Sequence, residues 1–262
     1  MRIAVIGAAG RMGAEVCRAV AASDDLELLA AVDPQAAGRT LGEVAGLDGA
    51  EAELRIAADL DALPAAEVQV AVEFSSPASV GANLRWLLDH DIHAVVGATG
   101  ISTDDLEAAR QRASTGPANA LIAPNFAIGA VLLMQFAAEA SRHLPQVEII
   151  ELHHDRKVDA PSGTALRTAE LIAAAREPVP DPPRGDEAHP GARGAVHHGV
   201  HVHSVRLPGL VAHQEVVLGG QGQTLTLRHD SLDRSSFMPG VLLACRRVSG
   251  LDGLVVGLEH LL

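Results

Sequence analysis

Short apolar runs punctuate the first half of the chain at 2–6, 26–32, 68–74, 94–96 and 120–123, each ended by glycine, proline or small polar residues. Runs of this length, rich in Val, Ile and Ala, read as strands buried on both faces. Between them the apolar positions take helical spacing: Met12, Val16 and Val20 share one face, and 80–90 and 103–113 read as further helices. Ser102 and Thr103 ahead of Asp104 and Asp105 mark a helix start, hydroxyls for the cap and acids for the positive end of the dipole. Alternating strand and helix predicts a parallel sheet with helical crossovers. The alternation stops at a long apolar helix, 128–143. A strand around Val147, Ile149 and Ile150 follows, then a helix at 164–176 and partly alternating strands at 196–207, 212–218 and 223–229, with 219–222 as a turn. A last helix at 238–248 and the segment 254–262 are expected to return to the first domain. Residues 177–195, dense in proline, glycine and charge, read as a lid or an oligomer-contact loop.

The first strand runs straight into Gly7-Ala8-Ala9-Gly10-Arg11-Met12-Gly13 and a helix, the context of a dinucleotide-binding turn. The second strand ends at Asp33, an acid suited to accept hydrogen bonds from an adenosine ribose. Pro34 and Gln35 follow with no adjacent Arg to hold a 2′-phosphate, so NAD is expected to be preferred or tolerated, while Arg11 and Arg39 leave NADP open. The fold class expected is therefore α/β: a Rossmann-type parallel-sheet dinucleotide-binding domain of residues 1–126 and 238–262, and an α+β substrate and oligomerisation domain of 127–237 with an open mixed or antiparallel sheet. Ser75, Gly97 and Thr99, small residues at strand ends, suit close approach of a nicotinamide ribose, or are plain turn chemistry. Asn125 offers an amide to a carboxamide, or caps the helix that follows.

Residues 149–165, IIELHHDRKVDAPSGTA, are the chemical centre of the sequence. An apolar strand is expected to deliver His153, His154 and Lys157 into a loop that closes at Pro161-Ser162-Gly163-Thr164, where a helix begins. Free N–H groups and the helix dipole there favour an anion. Histidine supplies a proton shuttle near neutral pH, and lysine an ammonium acid. Of 20 Lys plus Arg residues, Lys157 alone is lysine. A chain that uses guanidinium for every other cation keeps at this point the one cation whose pKa falls far enough to release a proton.

The 262 residues, 48% hydrophobic, suffice for a sizeable core and exclude disorder as the default. No apolar run is long enough to span a membrane, and the N-terminal stretch reads as a strand, not a signal peptide. Net charge of −13 and aromatics at 2% argue against nucleic acid, and any anion site must be made locally by oriented donors. Cys17 and Cys245, far apart, read as reduced core residues, which fits a cytoplasmic protein. His197, His198, His201 and His203 invite a metal reading; on one extended strand 197, 201 and 203 share a face, but no Cys or acid converges with them by spacing, and no metal is expected.

The turn Gly7–Gly13, Glu73-Phe74-Ser75, Gly97–Gly100, Ala123-Pro124-Asn125-Phe126, Arg228-His229-Asp230-Ser231 and above all His153-His154-x-x-Lys157-x-Asp159-Ala-Pro-Ser-Gly-Thr164 resemble the 4-hydroxy-tetrahydrodipicolinate (dihydrodipicolinate) reductase family across essentially the whole chain. The resemblance implies a cytoplasmic homotetramer in which NADH or NADPH reduces a small cyclic dicarboxylate of lysine and diaminopimelate biosynthesis. It implies His153 as proton donor and acceptor, Lys157 as proton donor, and His154, Gly163 and Thr164 as substrate contacts. It implies cofactor contacts from Gly7, Ala8, Ala9, Gly10, Arg11, Met12, Asp33, Gly97, Ala98, Thr99, Ala123, Pro124, Asn125 and Phe126. Two positions depart from the family: its usual Gly-Thr-Thr-Gly is Gly-Ala-Thr-Gly here, and its usual Asp before Phe is Glu73. A nucleotide-sensing protein without turnover and a His-metal hydrolase are the competing classes.

Overall fold

The chain begins with β1 (Arg2–Ile6), α1 (Arg11–Ala21), β2 (Glu27–Val32), α2 (Leu41–Ala45), β3 (Val70–Glu73), α3 (Val80–Asp89), β4 (His93–Val96), α4 (Thr103–Thr115) and β5 (Ala120–Ile122). It continues through α5 (Ile128–Ser141), β6 (Gln146–His153), α6 (Gly163–Ala175), β7 (Ala195–His197), β8 (Val200–Arg206), β9 (Ala212–Gly220) and β10 (Gln223–Ser231), and ends with α7 (Met238–Arg247) and β11 (Leu254–Val256). This computed structural model describes residues 1–63, 67–176 and 186–262. Contacts divide it into two compact units, Met1–Phe126 with Phe237–Leu262, and Ala127–Ser236.

The first unit is built on a six-stranded sheet in the order β11-β5-β4-β3-β1-β2, with every pair parallel. Ile3, Ala4, Val5 and Ile6 of β1 are all buried, as a strand covered on both faces requires. One side of the sheet packs against Val80, Leu84, Leu87 and Leu88 of α3 and Ala109 and Ala113 of α4. Burying a leucine such as Leu84 contributes about 2 kcal/mol, so Leu84→Ala costs more than that once a cavity is left. The cap expected at Ser102 is present: Ser102 Oγ accepts from Asp105 N–H at 3.1 Å. A reciprocal capping box between Thr40 and Glu43 starts α2, and Gly46 in the left-handed region ends it. The C-terminal segment adds a strand that its pattern does not announce, β11, paired in parallel with β5 from Leu254 to Val256.

The second unit carries a five-stranded mixed sheet, β10-β9-β6-β8-β7, with β6 in the centre, antiparallel to β9 and parallel to β8. Val147 and Ile149 of β6, Val200 and Val202 of β8, and Val216 and Leu218 of β9 face α5 and α6, meeting Leu133, Ala137, Ala165, Ala169 and Ile172. Period-two alternation sends Glu148 and Ile150 to the other face.

Three expectations are corrected. The run 196–207 is not one strand: His198 (φ 48°) and Gly199 (φ 75°) make a two-residue turn of the kind that matches strand twist, folding it into the β7–β8 hairpin. His197 then lies opposite Val200, and Val196 opposite His201, so His197 is on the other face from His201 and His203. Residues 219–222 are not all turn either, because Gly220 pairs with Gln223 and only Gln221 and Gly222 reverse the chain. Of the expected lid at 177–195, residues 177–185 lie outside the described residues; 186–194 form no helix or strand, and β7 starts at Ala195.

Candidate active site

The first unit places its crevice where strand order reverses, beside β1, at the carboxyl ends of β1, β2 and β3. Gly7 leaves β1 with φ 78°, and a Cβ there would lie 2.6 Å from the Phe74 carbonyl oxygen. A Cβ on Gly13 would lie 2.0 Å from the Gly7 carbonyl oxygen, so α1 passes directly against the turn. Gly10 is the N-cap of α1 and supplies no side-chain bond, which leaves the first-turn N–H groups to a ligand. Asp33 is fixed from two sides, Oδ2 accepting from Ala9 N–H and Oδ1 from Gln35 N–H, each at 3.0 Å. Each oxygen keeps a second lone pair for a ribose hydroxyl.

The cleft over this turn measures about 440 Å³. Of the cofactor residues expected from sequence, Gly7, Ala9, Gly10 and Asp33 line it. Ala8 is buried beneath the turn, and Arg11 and Met12 open α1. Gly97, Ala98 and Thr99 follow β4, and Ala123, Pro124, Asn125 and Phe126 follow β5, all at the same end of the sheet but outside this cleft. A Cβ on Gly97 would lie 2.2 Å from the Phe74 ring, which packs against Phe126 with centroids 5.9 Å apart. Gly97 therefore makes room for an aromatic ring of its own chain. The N-cap residue of α5 is Ala127, two residues after Asn125.

Sequence reasoning missed Ser76, Ser79, Asn83 and Asp59 in the lining. Helical spacing from Ser79 to Asn83 is the signal that would have found those two. Glu73, fully buried at the end of β3, accepts from Ser75 N–H (3.2 Å) and from Asn83 Nδ2 (3.0 Å) through Oε1, while Oε2 has no partner. Burial pushes its carboxyl up, against the pull of those bonds.

In the second unit His153 is the last residue of β6, not a loop residue, and its backbone is held in register between Arg206 and Ala212. Glu151, two residues earlier on the same face and fully buried, is the hub that sequence reasoning missed. It accepts from His153 Nδ1 (2.5 Å), from both terminal nitrogens of Arg206 (2.8 Å each) and from Ser162 N–H (3.2 Å). Burial pushes its carboxyl up, but the bonds from His153, Arg206 and Ser204 outweigh it and hold it at about 2. An ionised acceptor on Nδ1 leaves Nε2 of His153 as the nitrogen for proton exchange. One signal was available: Val147, Ile149 and Glu151 alternate, so an acid occupies an inward position of the strand.

His154 N–H donates to the Val211 carbonyl, and its Nδ1 is shielded without a hydrogen bond. Desolvation, followed by the Arg156 charge, lowers its pKa. Lys157 Nζ contacts both oxygens of Asp159 at 2.8 Å, and Asp159 is 62% exposed. After a cis Ala160–Pro161 bond, Ser162 caps α6 by accepting from Ala165 N–H at 3.2 Å. Gly163 and Thr164 form the first turn of this 13-residue helix, and a Cβ on Gly163 would meet nothing within 4 Å. The segment from the end of β6 to the first turn of α6 thus carries an imidazole, an ammonium and a helix N-terminus.

Residues 1–126 match the family model for the dihydrodipicolinate reductase N-terminus, and residues 129–262 the model for its C-terminus. The chain belongs to the dihydrodipicolinate reductase family. It is 52% identical to the 4-hydroxy-tetrahydrodipicolinate reductase of Streptomyces griseus, over 100% of this chain and 98% of the relative. To that of Mycolicibacterium smegmatis it is 50% identical, over 100% and 99%. A dipicolinate-bound dihydrodipicolinate reductase from Paenisporosarcina sp. TG-14 superposes with a TM-score of 0.89 at 40% identity, covering 100% of this chain and 99% of that one. As a dihydrodipicolinate reductase family member the chain is an oxidoreductase that uses a nicotinamide cofactor. The glycine turn, the uncapped α1 and the fixed Asp33 fit such a dinucleotide: pyrophosphate oxygens at the helix tip, and a ribose at the carboxylate. No helix among the described residues is long and apolar enough to cross a membrane.

Proposed function

We propose that this protein reduces 4-hydroxy-2,3,4,5-tetrahydrodipicolinate, by way of dihydrodipicolinate, to tetrahydrodipicolinate in lysine and diaminopimelate biosynthesis. The observation that carries the reading is the single loop joining the Glu151-held His153, Lys157 and the Gly163–Thr164 helix tip, in a chain whose relatives bear that name. The unit of 1–126 and 238–262 binds the dinucleotide, and residues 127–237 bind substrate and build a homotetramer in the cytoplasm.

Bound nicotinamide supplies the hydride; the protein supplies everything that handles charge and protons. Reduction of an unsaturated imine leaves an enamine-like carbanion, and Lys157 donates the proton it needs. His153, with Nδ1 engaged by Glu151, exchanges protons through Nε2. One substrate carboxylate displaces the exposed Asp159 from Lys157, and the second rests on the N–H groups of Gly163 and Thr164, with His154 beside it. Gly7, Ala8, Ala9, Gly10, Arg11 and Met12 cradle the pyrophosphate. Gly97, Ala98, Thr99, Ala123, Pro124, Asn125 and Phe126 line the path of the nicotinamide half. Asp33 and Asp59 line the cleft with no Lys or Arg among its described lining residues, and Arg39 lies 3.6 Å from Glu43. A 2′-phosphate would meet carboxylates there, so NADH is preferred over NADPH.

A coupled assay with freshly made synthase product, run with NADH and NADPH side by side, tests the proposal. Substrate-dependent loss of NADH absorbance, faster than with NADPH, is expected. Tight NADH binding without any such loss points to a nucleotide-sensing protein instead.

A further inference from the structure

We infer that Glu170 of α6 and His197 and His198 of the β7–β8 hairpin form a binding site for one zinc-class divalent ion, separate from the residues assigned to reduction. One ligand atom from each of the three side chains lies within 4.8 Å of the other two. Nε2 of His197 is shielded from solvent and makes no hydrogen bond. It stands 3.6 Å from Glu170 Oε1, too far for a hydrogen bond but close to the ~3.4 Å that separates two ligands each about 2.0–2.1 Å from a tetrahedral zinc. The exposed His198 ring meets the His197 ring edge-on, centroids 4.5 Å apart.

The surroundings suit a ligating carboxylate. Arg167 donates to Glu170 Oε2 at 3.2 Å, which fixes the carboxylate and turns Oε1 towards His197. Such outer hydrogen bonds are a regular feature of metal-bound carboxylates. Two imidazoles and a carboxylate select zinc, nickel or copper over calcium or magnesium, and leave a fourth position for water. The other histidines of the run are already engaged: His201 Nδ1 bonds the Arg193 carbonyl at 2.7 Å, and His203 Nε2 bonds Glu148 at 2.8 Å, both on the opposite face. The site exists because the chain turns at His198-Gly199, which brings His197 over α6. An ion there ties the edge hairpin to α6.

Untagged, chelator-stripped full-length protein is titrated with zinc chloride by calorimetry and by thermal unfolding, and zinc-soaked crystals are measured at the zinc absorption edge. One zinc per chain, a rise in Tm, and an anomalous peak between the three side chains are expected. Glu170→Gln and His198→Ala, the latter at an exposed position that leaves the fold intact, each weaken binding by about tenfold or more, whereas His203→Ala leaves it unchanged. Wild-type protein that takes up no zinc, zinc affinity that both substitutions leave intact, or a peak located at other histidines overturns the assignment.

Discussion

Lys157 stands out in the sequence as the lone lysine, and in the structure its ammonium is held by an exposed acid that a substrate carboxylate can replace. Lys157→Ala is expected to lower kcat by at least about a hundredfold while the NADH dissociation constant stays unchanged, as stopped-flow turnover and fluorescence titration would record. Near-normal turnover would remove Lys157 from the chemistry. Glu151 is the residue whose loss should be felt in both stability and rate. Glu151→Gln leaves Arg206, 19% exposed, facing a neutral amide, at a cost near the lower end of about 3–5 kcal/mol. Since its folded pKa is depressed to about 2 from 4.5, the stability it contributes is present above pH 4.5 and is lost as pH falls through about 2. Urea midpoints of wild type and variant should therefore converge only on acidification. Glu73 has the opposite sign. Its raised pKa makes its contribution complete below 4.5 and progressively lost as pH rises through the folded value. Glu73→Gln keeps an acceptor for Ser75 and Asn83, so it should be the more stable protein at neutral pH and lose that advantage on acidification. Equal urea midpoints at neutral pH would refute this. His153, His154 and Lys157 were legible because rarity and adjacency mark them. Glu151 and Arg206 were not, because their meeting depends on a parallel pairing of strands 55 residues apart.

Two glycine positions at helix starts differ in what surrounds them, and substitution separates their roles. Gly13→Ala forces a methyl into the Gly7 carbonyl, so α1 must move; a lower Tm and at least about tenfold weaker NADH binding are expected by thermal melt and fluorescence. Gly163→Ala meets open space and should leave Tm unchanged or slightly higher, while the methyl crowds the helix tip and raises KM for the dicarboxylate. A Tm loss in the second variant, or none in the first, would contradict the geometry described. Strand and helix periods were readable in the first unit because its strands are near-continuous apolar runs. The β7–β8 turn was not, since His198-Gly199 sits inside a stretch of Val and His with no Asn-Gly or Asp-Gly signal, and one early reversal shifted the facing of a histidine.

At the scale of the molecule, the α/β class with a parallel and a mixed sheet follows from where the alternation of strand and helix stops, at the helix after Phe126. Less visible was that three residues near the C-terminus hydrogen-bond as a strand, because Leu254, Val255 and Val256 are too few to show a period. Net charge of −13 gives an anionic substrate no long-range attraction, so under the proposed function capture rests on Lys157 and the α6 tip acting at contact distance. Turnover should accordingly respond weakly to added salt beyond the change in the Lys157–carboxylate contact, a point that steady-state rates across ionic strengths would check. The position of β11 has a consequence for biosynthesis. As the chain leaves the ribosome, β5 emerges about 130 residues before the strand that shields it, and until then its flank is bare backbone able to recruit a stranger. Deleting 248–262 makes that vulnerable interval permanent, and the shortened product should sediment as aggregate where the intact chain remains in solution.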